Sequence, residues 1–255
     1  MRVLAQARSL LGVFALVAWL VVGDLWERVV VWTAVKLRPQ EREAWVSWFM
    51  KGMSRGFFRI VRLAGGRARR TGVIPTAQPC LVVMNHQSLL DVPTAVLMMQ
   101  PFVSRFISRA RYGRFVPAVS LCLRLLRAPL IEPQHRKEAL RALRQAMRDQ
   151  PHGILIFPEG HRTRDGEIQP FHTAGAEIML RERRLPVYLV VTDGFWTCRR
   201  FVDFLFNIDR IDGRTEVLGP FAPPEDGDLA SFLEGLRQAM VAKLGQMRGG
   251  AGVAA

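Results

Sequence analysis

Cys80-Leu81-Val82-Val83-Met84 runs without a break into Asn85-His86-Gln87-Ser88-Leu89-Leu90-Asp91, and this junction decides how the chain reads. Five apolar residues closed off by polar ones have the length of a buried strand. The polar turn then gives way to a helical stretch over residues 91–99. A second run of the same kind, Gly153-Ile154-Leu155-Ile156-Phe157, ends in Pro158-Glu159-Gly160-His161-Arg162-Thr163-Arg164. Residues 102–108 and 128–131 are strand-like. Residues 136–148 form a helix with Leu140, Leu143 and Met147 on one face. Helix over 174–184, strands over 187–192 and 215–218, and a final helix over 229–247 complete the pattern. Strands alternating with helices predict an α/β fold, a layered sandwich whose largely parallel sheet is flanked by helices. Ligands in such sheets bind beyond the carboxyl ends of the strands. The residues after Met84 and those after Phe157 should therefore lie side by side.

A histidine at a strand end with a carboxylate five residues on can act as a general base with its orienting partner. No serine or cysteine nucleophile is needed if the substrate brings its own hydroxyl. The same residues allow a second reading, because Ser88-x-x-Asp91 ahead of an apolar run is also a capping box that closes a helix start. The second turn offers Arg162 and Arg164 as planar forks suited to phosphate, with Pro158 and Gly160 shaping the backbone. By itself that turn reads equally as solvated charge.

Taken together, His86-x4-Asp91 and Phe157-Pro158-Glu159-Gly160-x-Arg162 resemble the glycerolipid acyltransferase family, whose best-known members acylate lysophosphatidic acid. The resemblance covers residues 79–220 and continues through Gly166-x-x-x-Pro170-Phe171, Gly175-Ala176 and Leu185-Pro186-Val187. It implies that His86 is the general base and Asp91 its partner. It places Glu159, Gly160 and Arg162 in an acceptor-binding loop, with Arg162 on the acceptor phosphate. Acyl-CoA or acyl carrier protein would be the acyl donor, as a substrate, and neither cofactor nor metal is implied. Three positions depart from the family pattern. His161 stands where threonine is usual, Leu189 replaces the second proline of a Val-Pro-x-x-Pro strand, and Pro133 replaces an arginine that meets the acceptor phosphate. Either Arg127 or Arg136 takes over that contact, or the head group differs from glycerol phosphate.

The formal net charge is +14, and only four of the 36 basic residues are lysine. GC-rich codons can produce such an arginine excess, so charge carries weight only where it meets apolar surface or a site. The basic face of the 136–148 helix reads as solvated. No nucleic-acid module accompanies the charge, and nucleic acid is not an expected partner. Three cysteines far apart form neither a C-x-x-C pair nor a disulfide framework, which predicts a reduced, cytoplasm-facing protein.

Apolar surface and charge do coincide at the start of the chain. Residues 10–22 are uncharged and apolar, flanked by Arg2 and Arg8. Residues 25–37 are apolar but interrupted by Glu27 and Arg28, and residues 45–63 mix aromatic with basic side chains. Five of the six tryptophans (Trp19, Trp26, Trp32, Trp45, Trp48) fall here, the residue type that favours a membrane–water interface. Residues 1–64 are therefore expected to be a membrane-associated helical segment lying in or dipping into one leaflet, on the cytoplasmic face of the inner (plasma) membrane. A cleaved signal peptide would call for an A-x-A site, which does not follow. The glycine- and arginine-rich stretch over 65–72 reads as a linker to a catalytic domain over 73–248. Gly52-x-Ser54-x-Gly56 matches a serine-hydrolase pattern, but with no strand before it the match reads as chance. The expected function is transfer of a fatty acyl group to the hydroxyl of a lysophospholipid-like acceptor, lysophosphatidic acid first. The rivals are another lyso-lipid head group, a lipid or thioester hydrolase, and a non-catalytic membrane-surface protein.

Overall fold

Alternate residues of the strand Leu81–Met84 leave the sheet in opposite directions, and both sets are fully buried. Leu81 and Val83 point into one apolar layer with Ile154, Ile156, Leu189 and Val191. Val82 and Met84 point into another with Leu155 and Val190. A strand covered on both faces needs apolar side chains throughout, which is why this run shows no polar alternation.

The computed structural model describes residues 2–132, 134–148, 152–225 and 227–249, without the side chains of residues 2–5 and 136. Its sheet has six strands: β1 (Arg67–Thr71), β2 (Leu81–Met84), β3 (Arg105–Phe106), β4 (Ile154–Ile156), β5 (Val187–Asp193) and β6 (Asp212–Phe221). They lie in the order β1-β6-β5-β2-β4-β3. Every neighbouring pair is parallel except β5 with β6. One face is covered by α6 (Arg136–Arg148), α7 (Thr173–Glu182) and α9 (Leu229–Gly249), which supply Leu143, Met147, Met179 and Leu236 to the core. The other face is covered by α3 (Arg42–Leu63), α4 (Asp91–Met98) and α5 (Ser120–Leu125). Each fully buried aliphatic side chain contributes roughly 1.5–3 kcal/mol over its exposed state.

Two expectations change. The stretch read as a linker contains β1, an edge strand whose Arg67 and Arg69 face solvent while Arg70 lies over the Phe58 ring, and whose backbone pairs in parallel with β6, Arg67 opposite Asp212. Charged, glycine-flanked edges avoid unwanted strand pairing, and this gives them the composition of a linker. Residues 102–108 form less strand than expected: β3 is two residues long, and Ser108–Arg109 instead pairs with Leu130–Ile131 in a separate ribbon.

The N-terminal apolar runs also join. The helix α1 (Arg2–Trp26) passes through a π-turn (Glu27–Val31) directly into α2 (Trp32–Leu37). The charges that interrupt the sequence do not end the helical course: Arg28 pairs with Asp24 one turn back at 2.7 Å, and the fully buried Glu27 opens the π-turn. The stretch Gln6–Leu37 is long and apolar enough, by length and composition, to cross a bilayer. It packs along the domain throughout. Arg8 donates to the Leu63 carbonyl, Trp19 Nε1 to the Met53 carbonyl at 3.0 Å, and Asp24 accepts from the Ala118 amide at 3.0 Å. Val31 and Val35 join Val46 and Phe49 of α3 in the core beneath the sheet. The serine-hydrolase look-alike resolves here: Gly56 lies within α3 under the Trp19 ring, which any Cβ there would strike, and Ser54 is buried between helices.

Candidate active site

Parallel pairing of β2 with β4 sets Val83 beside Ile156 and brings the two following turns together at the carboxyl edge. The His86 ring stacks on Phe157, centroids 4.1 Å apart. The His86 amide donates to Glu159 Oε1 at 2.7 Å, and the His86 carbonyl accepts from the Thr163 amide at 2.8 Å. The turns expected to be neighbours are therefore stitched together on both sides of His86.

His86 Nδ1 meets Asp91 Oδ2 at 2.7 Å. That same oxygen accepts the amides of Gln87 at 2.6 Å and Ser88 at 2.7 Å. With two backbone amides already donating to it, Asp91 Oδ2 serves His86 as an acceptor as well, which places the ring hydrogen on Nδ1 and leaves Nε2 free for the substrate. Only half of the capping box forms, the bond from the Ser88 amide to the Asp91 carboxylate. Ser88 Oγ turns to the Cys198 carbonyl and the Leu90 amide, and Asp91 is the first residue of α4. Asp91 orders the turn and orients the histidine at once.

Glu159 is fully buried, and its second oxygen accepts the Gln169 amide at 2.9 Å. Its carboxylate thus holds the backbone of both turns and does not face an open cleft. Burial pushes Glu159 up to about 7, against the pull of the Gln169 and His86 amides. Gly160 has φ +70°, a left-handed conformation that side chains with a Cβ resist, and a Cβ would meet the His172 ring at 3.1 Å. Its amide is committed to the Phe157 carbonyl at 3.1 Å. His161 Nδ1 lies 2.8 Å from the Glu159 carbonyl oxygen, and Arg162 Nη1 donates to the Arg199 carbonyl.

Sequence reading missed two arginines. The Ser108–Arg109 ribbon and the turn after it carry Arg109 and Arg111, and Arg111 donates to the Tyr112 hydroxyl at 3.1 Å. Burial alone would raise the Tyr112 hydroxyl, yet a hydrogen bond from Arg111 and the charges of Arg111, Arg162 and Arg109 bring it below its ordinary value. Arg109, Arg111, Glu132 and Gln134 line a cavity of about 220 Å³. The Arg-x-Arg spacing just after a strand-like run was the available signal. Arg127 is exposed at the left-handed end of α5, φ 52°. Pro133 and the Arg136 side chain lie outside the described residues.

Gln87 and Arg248 are the other unexpected members. The Gln87 side chain accepts from the Phe195 amide at 3.1 Å and donates to the Gly166 carbonyl at 3.2 Å. Arg248, in the last turn of α9, grips both oxygens of Asp193 at 3.0 Å and bonds the same Gly166 carbonyl. The three cysteines are buried. Burial pushes Cys80 and Cys198 up to about 12, far from a usable thiolate.

The chain matches the acyltransferase family model over residues 67–192. It is 28% identical over 162 residues to 1-acyl-sn-glycerol-3-phosphate acyltransferase beta of Homo sapiens, covering 62% of this chain and 55% of that one. It is 29% identical over 119 residues to a chloroplastic 1-acyl-sn-glycerol-3-phosphate acyltransferase of Brassica napus, covering 46% of this chain and 33% of that one. The matched part therefore spans between a third and a little over half of these relatives. The crystal structure of the 1-acyl-sn-glycerophosphate (LPA) acyltransferase PlsC from Thermotoga maritima superposes with a TM-score of 0.70, covering 95% of this chain and 98% of that one at 19% identity, a likeness of fold.

Proposed function

We propose that the chain is a member of the acyltransferase family whose model it matches over residues 67–192, an O-acyltransferase moving a fatty acyl group from acyl-CoA or acyl carrier protein to the hydroxyl of a lysophospholipid-like acceptor, as its likeness to the 1-acyl-sn-glycerol-3-phosphate acyltransferases supports. The observation that carries this reading is His86 held by Asp91 at 2.7 Å at the carboxyl edge of the sheet, beside a turn rich in arginine. The acceptor hydroxyl gives its proton to His86 Nε2 as its oxygen bonds to the thioester carbonyl carbon. The tetrahedral intermediate then collapses, the carbon–sulfur bond breaks, and the imidazolium returns the proton to the departing thiolate. Asp91 stabilises the imidazolium between these two transfers.

The acceptor phosphate belongs with Arg162, Arg109 and Arg111. Arg109 and Arg111 line one cavity, and their charges act with that of Arg162 on Tyr112, which supports a site for a dianion with the positive charge expected at Pro133. Lysophosphatidic acid is accordingly the first acceptor to test. The protein would work from the cytoplasmic side, where those thioesters occur. A helix held to the domain from Arg8 to Val35 supports an orientation along the membrane surface, its outward stripe in one leaflet. The test is a panel of lyso-lipids and both donors with purified protein, read by mass spectrometry of the product, in wild type and His86→Ala. Acylated product lost by about 10²–10⁴ in the variant supports the reading. Thioester consumption without acylated lipid would instead identify a hydrolase.

A further inference from the structure

A soluble domain has little reason to turn aromatic rings outward in a group, and such rings mark a contact surface. Phe115 is 97% exposed and also sits at φ 60°, a backbone conformation that bulky side chains avoid. A second group follows Arg199 and Arg200: Phe201, Val202 and Phe206 are exposed, although Phe204 and Ile208 beside them are fully buried. Those inner residues anchor the segment, so the outward residues face out of a packed structure.

Each segment bridges the arginine-lined site and α1. On one side Tyr112 lies in the field of Arg162, and a few residues later the Ala118 amide bonds Asp24 of α1. On the other the Arg199 carbonyl accepts from Arg162, and α8 (Phe204–Asn207) with the turn after it packs on the first half of α1, where Ser9 reaches Asp209. The exposed residues of α1 include Leu10, Phe14, Val17 and Val21, an apolar stripe at helical spacing. Exposed arginines Arg114 and Arg200 stand next to the rings, as suits an anionic leaflet.

We propose that Phe115 and the Phe201–Val202–Phe206 group insert into the same leaflet as α1, so that the site is rimmed by lipid-embedded aromatics on two sides. The lysolipid acceptor then passes from the leaflet to His86 without its acyl chain crossing water. The rim rests on the membrane reading above and extends it from the N-terminal helices to the catalytic domain itself.

The three native cysteines are buried, so a single introduced cysteine can carry an environment-sensitive fluorophore. Full-length Phe115→Cys and Phe206→Cys proteins are labelled beside Phe14→Cys on α1 and Arg181→Cys on α7. Each is mixed with vesicles of phosphatidylcholine and phosphatidylglycerol. Labels at 115, 206 and 14 should shift to the blue and be quenched by lipid-borne spin labels, while the label at 181 should not respond. Phe115→Ser should weaken vesicle partitioning about tenfold, the effect of withdrawing one ring from an apolar phase, with turnover on detergent-dispersed acceptor unchanged. Silence at 115 and 206 with a response at 14 would overturn the rim and leave the membrane reading standing. Silence at all three would overturn both. Lost turnover of Phe115→Ser on dispersed acceptor would place Phe115 inside the site and overturn the rim.

Discussion

Asp91→Asn removes a charge and almost no volume, and the geometry separates its two consequences. In the wild type one oxygen accepts from His86 Nδ1 and from the amides of Gln87 and Ser88, at 2.6–2.7 Å. The carboxamide oxygen can take that place and keep all three contacts. Its NH₂ then falls where the other carboxylate oxygen has no hydrogen-bond partner. A hydrogen bond to a charged group contributes roughly 1.5–3 kcal/mol against roughly 0.5–1.5 for a neutral one. The two backbone bonds together therefore lose about 2–3 kcal/mol, a fall in Tm of about 4–12 °C for a chain of this size. The second consequence is kinetic. An imidazolium formed during acyl transfer no longer faces an anion, and kcat should drop by about 10²–10⁴, equivalent to about 3–5 kcal/mol of barrier. Unfolding followed by circular dichroism gives the first number. Thiol release from acyl-CoA in the presence of acceptor, measured well below both unfolding temperatures, gives the second. A variant that loses the stability but turns over within about threefold of wild type would show that Asp91 only holds the turn.

Glu159 titrates near 7 when folded against an ordinary 4.5, so between those values the native state holds a proton the unfolded chain has lost. Stability should be full below about 4.5 and fall by about 3 kcal/mol as pH rises to about 7, and urea titrations of Glu159→Gln across that window should show the slope flattened. Arg111→Ala and Arg162→Ala should each lower kcat/KM for lysophosphatidic acid by about tenfold or more, the value of one charge-assisted hydrogen bond, with a smaller effect on lyso-lipids lacking a phosphomonoester. Arg127→Ala should leave kcat/KM unchanged, and a large loss there would move the phosphate away from the Tyr112 cluster. Deleting residues 1–63 removes Val31, Val35, Val46 and Phe49 from the core under the sheet, about 6–12 kcal/mol of burial and comparable to a domain's whole stability. The remainder should be insoluble, and a folded soluble fragment by circular dichroism would contradict that packing.

The sequence by itself determined what depends on a segment's own periodicity. The run before Met84, the 136–148 helix and the strand before Pro158 are legible because a strand buried on two faces or a helix buried on one must repeat apolar residues at a fixed spacing. His86 and Asp91 were legible as a pair for the same local reason, since the four residues of turn between them bring them together. Only the tertiary structure decided the features whose partners lie far along the chain. The Arg67–Thr71 strand exists through backbone bonds to Asp212–Phe221, about which its own arginines say nothing. Glu159 reads in the sequence as part of an acceptor-binding loop, and only the fold shows the His86 and Gln169 amides bonded to its two oxygens. The charges of Arg109, Arg111 and Arg162 act together on Tyr112 only in the folded chain, and Arg248 meets Gly166 only when the last helix reaches it. Burial and charge depend on what surrounds a residue in three dimensions, and a linear pattern records only its neighbours in the chain.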